Sequence, residues 1–439
     1  MPGIIAQATS RTIAATATGH SADRGMPFTR VYDNSALRTG TIRSLDYWLG
    51  VPLCALLTAL RAVLPERRRP PTRILFLKFI EQGATVLAQD AIARATRRVG
   101  REQIYFCVFE SNRAILDLVG TVPAANIIVI RDRQLLTFIL DFLRALAAAR
   151  SHRIDTVIDM EFFSRASAIF TFLTGATTRV GLHRFTGELP YRGNLMTHRV
   201  QYNPHRHIAT QYSLLVEAAF LAPVDEPLLK FPFAVDAAGG DAAPRYQFAP
   251  TAAETDQIRK RLGGGYPVVI VNPNASDLLP LRKWENSRFV ELSQRILAHY
   301  PDAKIAVTGA PSEQPAADAL CRAVNADRVV SFAGQTSLRE LLTLYTLADV
   351  LVTNDSGPGH FASLTPVHAV VLFGPETPLL FRSLSPDTTI IWKELACSPC
   401  VSVFNHRLSP CRNNVCMQAI TVDEVLTAVQ DAVATRPAR

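Results

Sequence analysis

The sequence is short of charge and of cysteine. Charged residues make up only 19% of the 439 residues, against 48% apolar ones, a balance that belongs to a globular chain and excludes general disorder. The cysteines number seven. An odd count, with Cys397, Cys400, Cys411 and Cys416 crowded near the C-terminus, is not the framework of a secreted disulfide scaffold. The N-terminus lacks the charged-then-apolar layout of a secretory signal, and no apolar run reads as long enough to span a bilayer. The cytoplasm is therefore the expected compartment. Zinc-finger, RNA-recognition and helix-turn-helix patterns are missing, which sets nucleic acid aside as a partner. Walker A and G-x-G-x-x-G sequences are missing too, which argues against P-loop and dehydrogenase chemistry. Gly263-Gly264-Gly265 precedes a strand and does not follow one, so it is no dinucleotide fingerprint.

What is present is a basic chain of two-domain length. A net charge of +8 favours anionic partners such as phosphorylated sugars or an anionic membrane surface. Residues 1–43 are rich in Ala, Thr, Ser, Arg and Gly without apolar periodicity and are expected to form a disordered tail. Residues 44–70 differ. Leu45, Trp48, Leu49, Leu53, Leu56, Leu57, Leu60, Val63 and Leu64 recur at helical spacing, and Arg67, Arg68 and Arg69 follow. The pattern predicts an amphipathic helix and a basic linker. It suits a helix lying on an anionic membrane or one packed on the first domain, and spacing alone does not separate the two.

Beyond residue 70, short β-branched apolar runs alternate with helical patterns. Strands are predicted at 73–79, 103–110, 125–131, 155–161 and 178–183, then at 268–274, 304–309, 329–333, 349–354 and 368–374. Nearly continuous apolar runs suit strands buried on both faces of a parallel sheet. Ser337–Glu340 and Thr421–Glu424 read as capping boxes that start helices. The stretch 215–255, with Gly239, Gly240, Pro244 and Pro250, has no strand rhythm and is read as the interdomain boundary. The expected fold class is α/β, with two Rossmann-like parallel-sheet domains, 71–240 and 241–439, facing a cleft.

The segment Asp349–Pro378 carries the strongest chemical signal. A buried strand ends in Asn354-Asp355-Ser356-Gly357-Pro358-Gly359-His360 and a helix begins. Glycines let backbone approach a ligand, and amides at a helix start suit a diphosphate. Asp355 stands at a strand's carboxyl end, where it can grip sugar or ribose hydroxyls. The plain alternative is that Asp355 and Ser356 only cap the helix. A second segment, Val268–Arg288, runs from a strand into a polar loop with Asn274 and Ser276, then Arg282-Lys283-Trp284. Arg282 and Lys283 suit a phosphate leaving group, or a solvated surface pair. The polar cluster Tyr202, His205 and His207 is a candidate lining of an acceptor groove.

Together these segments resemble glycosyltransferase family 9, the family of the ADP-heptose:lipopolysaccharide heptosyltransferases, over roughly residues 73–430. NDSGPGH followed by LFGPETP is similar to the family's D-[ST]-G-x-x-H and L-F-G-P signature. VNPNAS with RKW downstream resembles its donor-domain entry loop, and DTVIDMEFFSRASAIFTFLTGATTRVGLHR its second recognisable block. The resemblance implies a GT-B fold with a nucleotide-diphospho-sugar donor on the C-terminal domain and a glycan or glycolipid acceptor on the N-terminal one. It implies inversion at the anomeric carbon with no metal and no cofactor. Asn274, Ser276, Arg282, Asp355, Ser356, Gly357 and His360 are then the expected donor-binding residues, with Arg282 facing phosphate.

The family's first block normally carries Gly-Asp, and that Asp is its presumed base. Here the place reads Gly83-Ala84. Glu81, three residues earlier in the same loop, is the candidate general base, with Glu110 and Glu161 as rivals and an ordinary exposed carboxylate as the alternative. The expected function is inverting transfer of a sugar, heptose among the candidates, to a lipopolysaccharide-type or lipid-linked acceptor at the inner membrane face. The rival readings are a non-catalytic nucleotide-sugar binder, following from Ala84, and a sugar-nucleotide epimerase. Cys397-x-x-Cys400 with Cys411 and Cys416 reads either as a loosely spaced metal site or as structural thiols.

Overall fold

A computed structural model describes residues 46–64, 69–132, 134–183, 192–222, 248–275, 279–405 and 407–435. The expected tail 1–43, together with Arg67, Arg68, Ser276 and most of the expected interdomain boundary, lies outside the described residues. The first half forms a six-stranded sheet in the order β3-β2-β1-β4-β5-β6. Its strands are β1 (Ile74–Leu77), β2 (Ile104–Phe109), β3 (Ile127–Ile130), β4 (Thr156–Asp159), β5 (Thr178–His183) and β6 (His198–Gln201). Every pairing is parallel. Alternation along β1 splits its side chains between two cores: Ile74 and Phe76 enter one, Leu75 and Leu77 the other. The strand is apolar throughout because both faces are covered by helices.

The second half repeats the plan. Its sheet has the order β12-β11-β10-β7-β8-β9, again parallel throughout. The strands are β7 (Val268–Asn272), β8 (Lys304–Val307), β9 (Val329–Ser331), β10 (Val350–Asn354), β11 (His368–Phe373) and β12 (Thr388–Trp392). Both sheets therefore follow the 3-2-1-4-5-6 strand order of doubly wound folds. The order reverses between β1 and β4 in one half and between β7 and β10 in the other, the points whose carboxyl ends hold ligands in such folds. The capping boxes at Ser337–Glu340 and Thr421–Glu424 are formed as expected. Strands β6 and β12 are additions to the sequence reading. Both are sheet edges, and HRVQ is too polar to stand out as a buried run.

The amphipathic segment forms the helix Gly50–Val63, with Pro52 tolerated in its first turn. The helical stretch Asp46–Val63 is, at mean hydropathy 1.2, apolar and long enough to cross a bilayer by length and composition. This corrects the expectation that no run reaches that length, because only Asp46 and Arg61 interrupt it. One side of this helix packs on protein. Cys54 and Leu57 meet Ala168 and Ile169 of the helix Arg165–Leu173, together with Leu195 and Met196. Asp46 pairs with Arg165 at 2.7 Å, and Arg61 donates to the Met196 carbonyl at 2.9 Å. The other side faces outward, with Trp48 72% and Val63 78% exposed and Leu49, Leu56 and Leu60 also exposed. The packed-helix reading thus holds for the inner side, and the outer side is left exposed and apolar.

Candidate functional site

The wall from the first half starts at the end of β1. Lys78 is buried, and burying an ammonium demands partners. Its Nζ lies 3.2 Å from Glu81 and 3.1 Å from Glu161, and 5.5 Å from the centre of the Phe162 ring. Glu161, beyond the end of β4, accepts from the Phe79 amide at 2.6 Å. Asn112 donates to the Phe79 carbonyl at 2.7 Å. Two strand ends are thereby stapled into one loop. Glu81 sits in that loop at φ 73°, a left-handed conformation that a non-glycine residue holds only when its surroundings enforce it. Its other partner is Arg407, which arrives from the second half of the chain. Of the three carboxylates weighed from sequence, Glu161 is spent on backbone amides and Lys78, Glu110 stands in a short turn after β2, and Glu81 lies where the halves meet.

The wall from the second half is built at the ends of β7, β10 and β11. Asn354 ties the loops together: its amide donates to the Pro273 and Asn274 carbonyls at 3.1 Å, and its oxygen accepts from the Trp284 amide at 3.1 Å. Trp284 is buried and bonds the Ile420 carbonyl, which fixes the turn carrying Arg282. Arg282 points inward while Lys283 is exposed, so the two cations read as a pair from sequence are separated. The Arg282 guanidinium lies 3.3 Å from the Asp355 carboxylate and 3.4 Å from that of Glu376. It also donates to the Asp355 carbonyl at 3.2 Å. Asp355 does not cap the following helix, and neither does Ser356, whose hydroxyl donates to the Asn354 carbonyl. The capping alternative therefore fails for both. Asn274 is buried and gives its side-chain amide to the Thr308 carbonyl, away from Arg282.

Burial shifts the titration of this wall. It pushes Asp355 up against the opposing pull of Arg282. It pushes Glu376 up to about 8, with Arg282 lowering it and Asp355 raising it further. His360 is held down to about 4 by burial, helped by His207 and Arg282 nearby, so its ring is neutral. Two carboxyls beside one guanidinium combine groups that can accept from hydroxyls with a cation suited to an anion.

The two walls touch. A Cβ on Gly83 would lie 2.5 Å from the His360 ring, so only glycine allows this approach. Gly83 on the first wall and the Gly357–Phe361 helix on the second are thus in contact. Val86 and Ile115 share a core with Phe361 and Leu342. On the other side, His207 bonds the Arg382 carbonyl at 2.9 Å, and Phe162 meets Phe381 at 6.2 Å. Tyr202 is buried and packs on Phe404 at 5.2 Å. Of the polar cluster expected to line a groove, Tyr202 and His207 therefore serve the domain contact. Sequence reasoning passed over Lys78, Glu376 and Arg407. Lys78 ending an apolar strand was a usable signal, and Glu376 lies within LFGPETP; Arg407 has no local signal.

The cysteines are all free thiols. Burial raises Cys416, with the neighbouring thiols of Cys400, Cys397 and Cys411 adding to it. Among the described residues, no three His, Cys, Asp or Glu side chains are placed to share a metal ion.

The sequence profile of glycosyltransferase family 9 (heptosyltransferase) matches residues 142–407, more than half of the chain. The chain belongs to this family. The match takes in the whole second wall and, of the first, Glu161, Phe162, Tyr202 and His207, while Lys78, Glu81 and Gly83 precede it. This family 9 chain is 23% identical over 176 residues to lipooligosaccharide heptosyltransferase 2 of Campylobacter jejuni, covering 38% of this chain and 52% of that protein. The match thus spans about half the length of the curated relative. Two solved structures share its fold. The ADP-heptose lipopolysaccharide heptosyltransferase II of E. coli superposes with a TM-score of 0.60 at 17% identity, over 82% of this chain and 98% of that one. A family 9 glycosyltransferase of Veillonella parvula does so with 0.63 at 14% identity, over 84% and 98%. The fold class is GT-B, as the motifs implied.

Proposed function

We propose that this family 9 protein transfers a sugar, with inversion, from a nucleotide-diphospho-sugar to a glycan or glycolipid acceptor of the lipopolysaccharide type. The observation that carries this reading is Arg282, held inward between Asp355 and Glu376 at the strand ends of the second sheet. A guanidinium there neutralises charge growing on a departing diphosphate. Asp355, Ser356, Gly357 and His360 surround the donor, which rests on residues 241–439. The acceptor rests on residues 71–240. Heptose is the first sugar to test, since the relatives are named for it. ADP is the first nucleotide, since the E. coli structure is named for ADP-heptose.

Glu81 is the proposed proton acceptor. It stands at the meeting of the halves, and Arg407 must turn aside for an acceptor hydroxyl to reach it. The protein works at the cytoplasmic face of a membrane, held there through the exposed side of the helix Gly50–Val63. This reading is supported by Trp48, Leu49, Leu56, Leu60 and Val63 in one exposed row and by the excess of basic charge. The test is product analysis with a panel of sugar nucleotides and lipopolysaccharide acceptors, run on wild type and on Glu81→Gln. Glycan is expected from wild type, and kcat about a hundred- to ten-thousand-fold lower from the variant with donor affinity kept. Binding without product favours the inert binder that Ala84 suggests, and an isomerised sugar identifies an epimerase. A Glu81→Gln enzyme within a few-fold of wild type removes Glu81 from the mechanism.

A further inference from the structure

We infer that Glu376 reads the hydroxyl groups of the donor sugar and so sets which sugar the enzyme transfers, an inference that rests on the donor site proposed above. Glu376 follows β11, and Asp355 directly follows its neighbour β10, so both carboxylates stand at adjacent strand ends. It is 1% exposed. One oxygen, Oε2, reaches Arg282 only at 3.4 Å. The other, Oε1, is buried and makes no hydrogen bond of good geometry among the described residues, the Thr377 amide being the backbone donor near this carboxyl. Buried polar atoms are satisfied in the great majority of cases, and an under-satisfied carboxylate oxygen at a ligand crevice calls for donors from the ligand.

The chemistry of those donors follows from charge. A diphosphate offers only acceptor oxygens and pairs with a guanidinium, so it belongs on the Arg282 side of the site. Sugar hydroxyls are uncharged donors, and hydrogen bonds from them favour the charged form of a carboxyl that burial has pushed up to about 8. Direction agrees as well. Glu376 lies close enough to Tyr202 of the first half for its charge to act on the phenol. Glu376 thus stands between Arg282 and the first half, where the proposed donor site puts the transferred sugar. A site built to accept from a hydroxyl discriminates strongly against a sugar lacking it, because the buried oxygen is then left unpaired.

Calorimetry with matched pairs tests this: ADP against ADP-heptose, UDP against UDP-glucose, and GDP against GDP-mannose. The readout is the factor by which the sugar strengthens binding over the nucleoside diphosphate alone. In wild type at least one pair should show such a factor, and in Glu376→Gln and Glu376→Ala it should fall about ten- to a hundredfold while nucleoside diphosphate affinity stays within about threefold. Equal loss for both members of a pair means that Glu376 serves Arg282 and the phosphates, and no loss means that it serves packing; either overturns the inference. A wild type that binds nucleoside diphosphates without any sugar factor also overturns it and leaves the donor site standing. A wild type that binds no nucleotide overturns the donor site itself. Monodeoxy donors on wild type give the same answer without any variant: removal of one or two particular hydroxyls should cost about tenfold, and uniform tolerance is the contrary result.

Discussion

Arg282, Asp355, Glu376 and His360 form a group in which each charge state depends on burial and on its neighbours. Glu376 is pushed up to about 8, so between its ordinary value near 4.5 and 8 the folded chain binds a proton that the unfolded chain does not. Stability from this residue is present below that window and is lost as pH rises through it. His360 is the opposite case. Its ring is held down to about 4, so from about 6.5 to 4 the unfolded chain binds the extra proton and stability falls as pH drops. Glu376→Gln isolates the first effect. Its stability relative to wild type should rise with pH between about 4.5 and 8, by at most about 1.4 kcal/mol per pH unit. Urea unfolding of both proteins at pH 5 and pH 8 measures this. A difference that stays flat across the window would show that the carboxyl ionises as an exposed one does. Of this group, the sequence made Asp355 and His360 legible through the strand-to-helix stretch Asn354–His360, and Arg282 through the polar stretch after β7. Glu376 was not, since nothing local says that a glutamate after Gly374-Pro375 is buried.

At the scale of the element, the helix Gly50–Val63 is the least explained by packing. Cys54 and Leu57 account for its inner side, and Leu53, Leu56 and Leu60 face outward. The helix Leu135–Ser151, which also packs on the helix Arg165–Leu173, exposes Leu135, Leu136, Ile139, Leu140 and Leu143. Phe142 of the one meets Phe170 of the other at 5.1 Å. Leu53→Glu combined with Leu56→Glu changes only the outward side and should leave the melting temperature within a few degrees. Binding to vesicles rich in anionic lipid should fall at least tenfold, since each buried leucine contributes about 1.5–3 kcal/mol. Sedimentation with such vesicles reads the result, and an unchanged bound fraction rejects the membrane as the partner of this side. The sequence showed the helical period and could not show which side the domain would take, because both sides are apolar.

At the scale of the whole molecule, the two halves are joined by more than a shared cleft. Val403 enters the core of the first half with Phe404 packed against it, although both come late in the chain. Arg407 lies 5.4 Å from the ring centres of Phe162 and Phe381. On the opposite side Gly83 rests against His360. Gly83→Ala should therefore force the halves apart or push the His360 ring aside, at a cost of about 1–3 kcal/mol. The melting temperature should drop, and His360→Ala placed in the same chain should recover part of the loss, a coupling that a double-mutant cycle measures. Two single effects that simply add would mean that Gly83 and His360 do not meet in solution.

The sequence by itself determined the class of fold and the position of most strands. Runs such as Ile74–Leu77 and Val350–Asn354 are apolar at every position, and only a parallel sheet covered on both faces uses such strands. It also determined the strand-end loops at Gly83 and Asp355, because glycine, proline and small polar residues punctuate the chain where a ligand approaches. The edge strand β6 escaped it, because edge positions relax the apolar pattern. Only the tertiary structure decided which charges meet. Lys78 and Glu161 stand 83 positions apart, and Arg407 stands 326 positions from Glu81. Those pairs exist because each sheet brings its strand ends to one edge and the second half then closes over the first. Periodicity is a local property of the chain and is written in it residue by residue. Charge pairing across a closed cleft depends on how two whole domains dock, and no short segment carries that information.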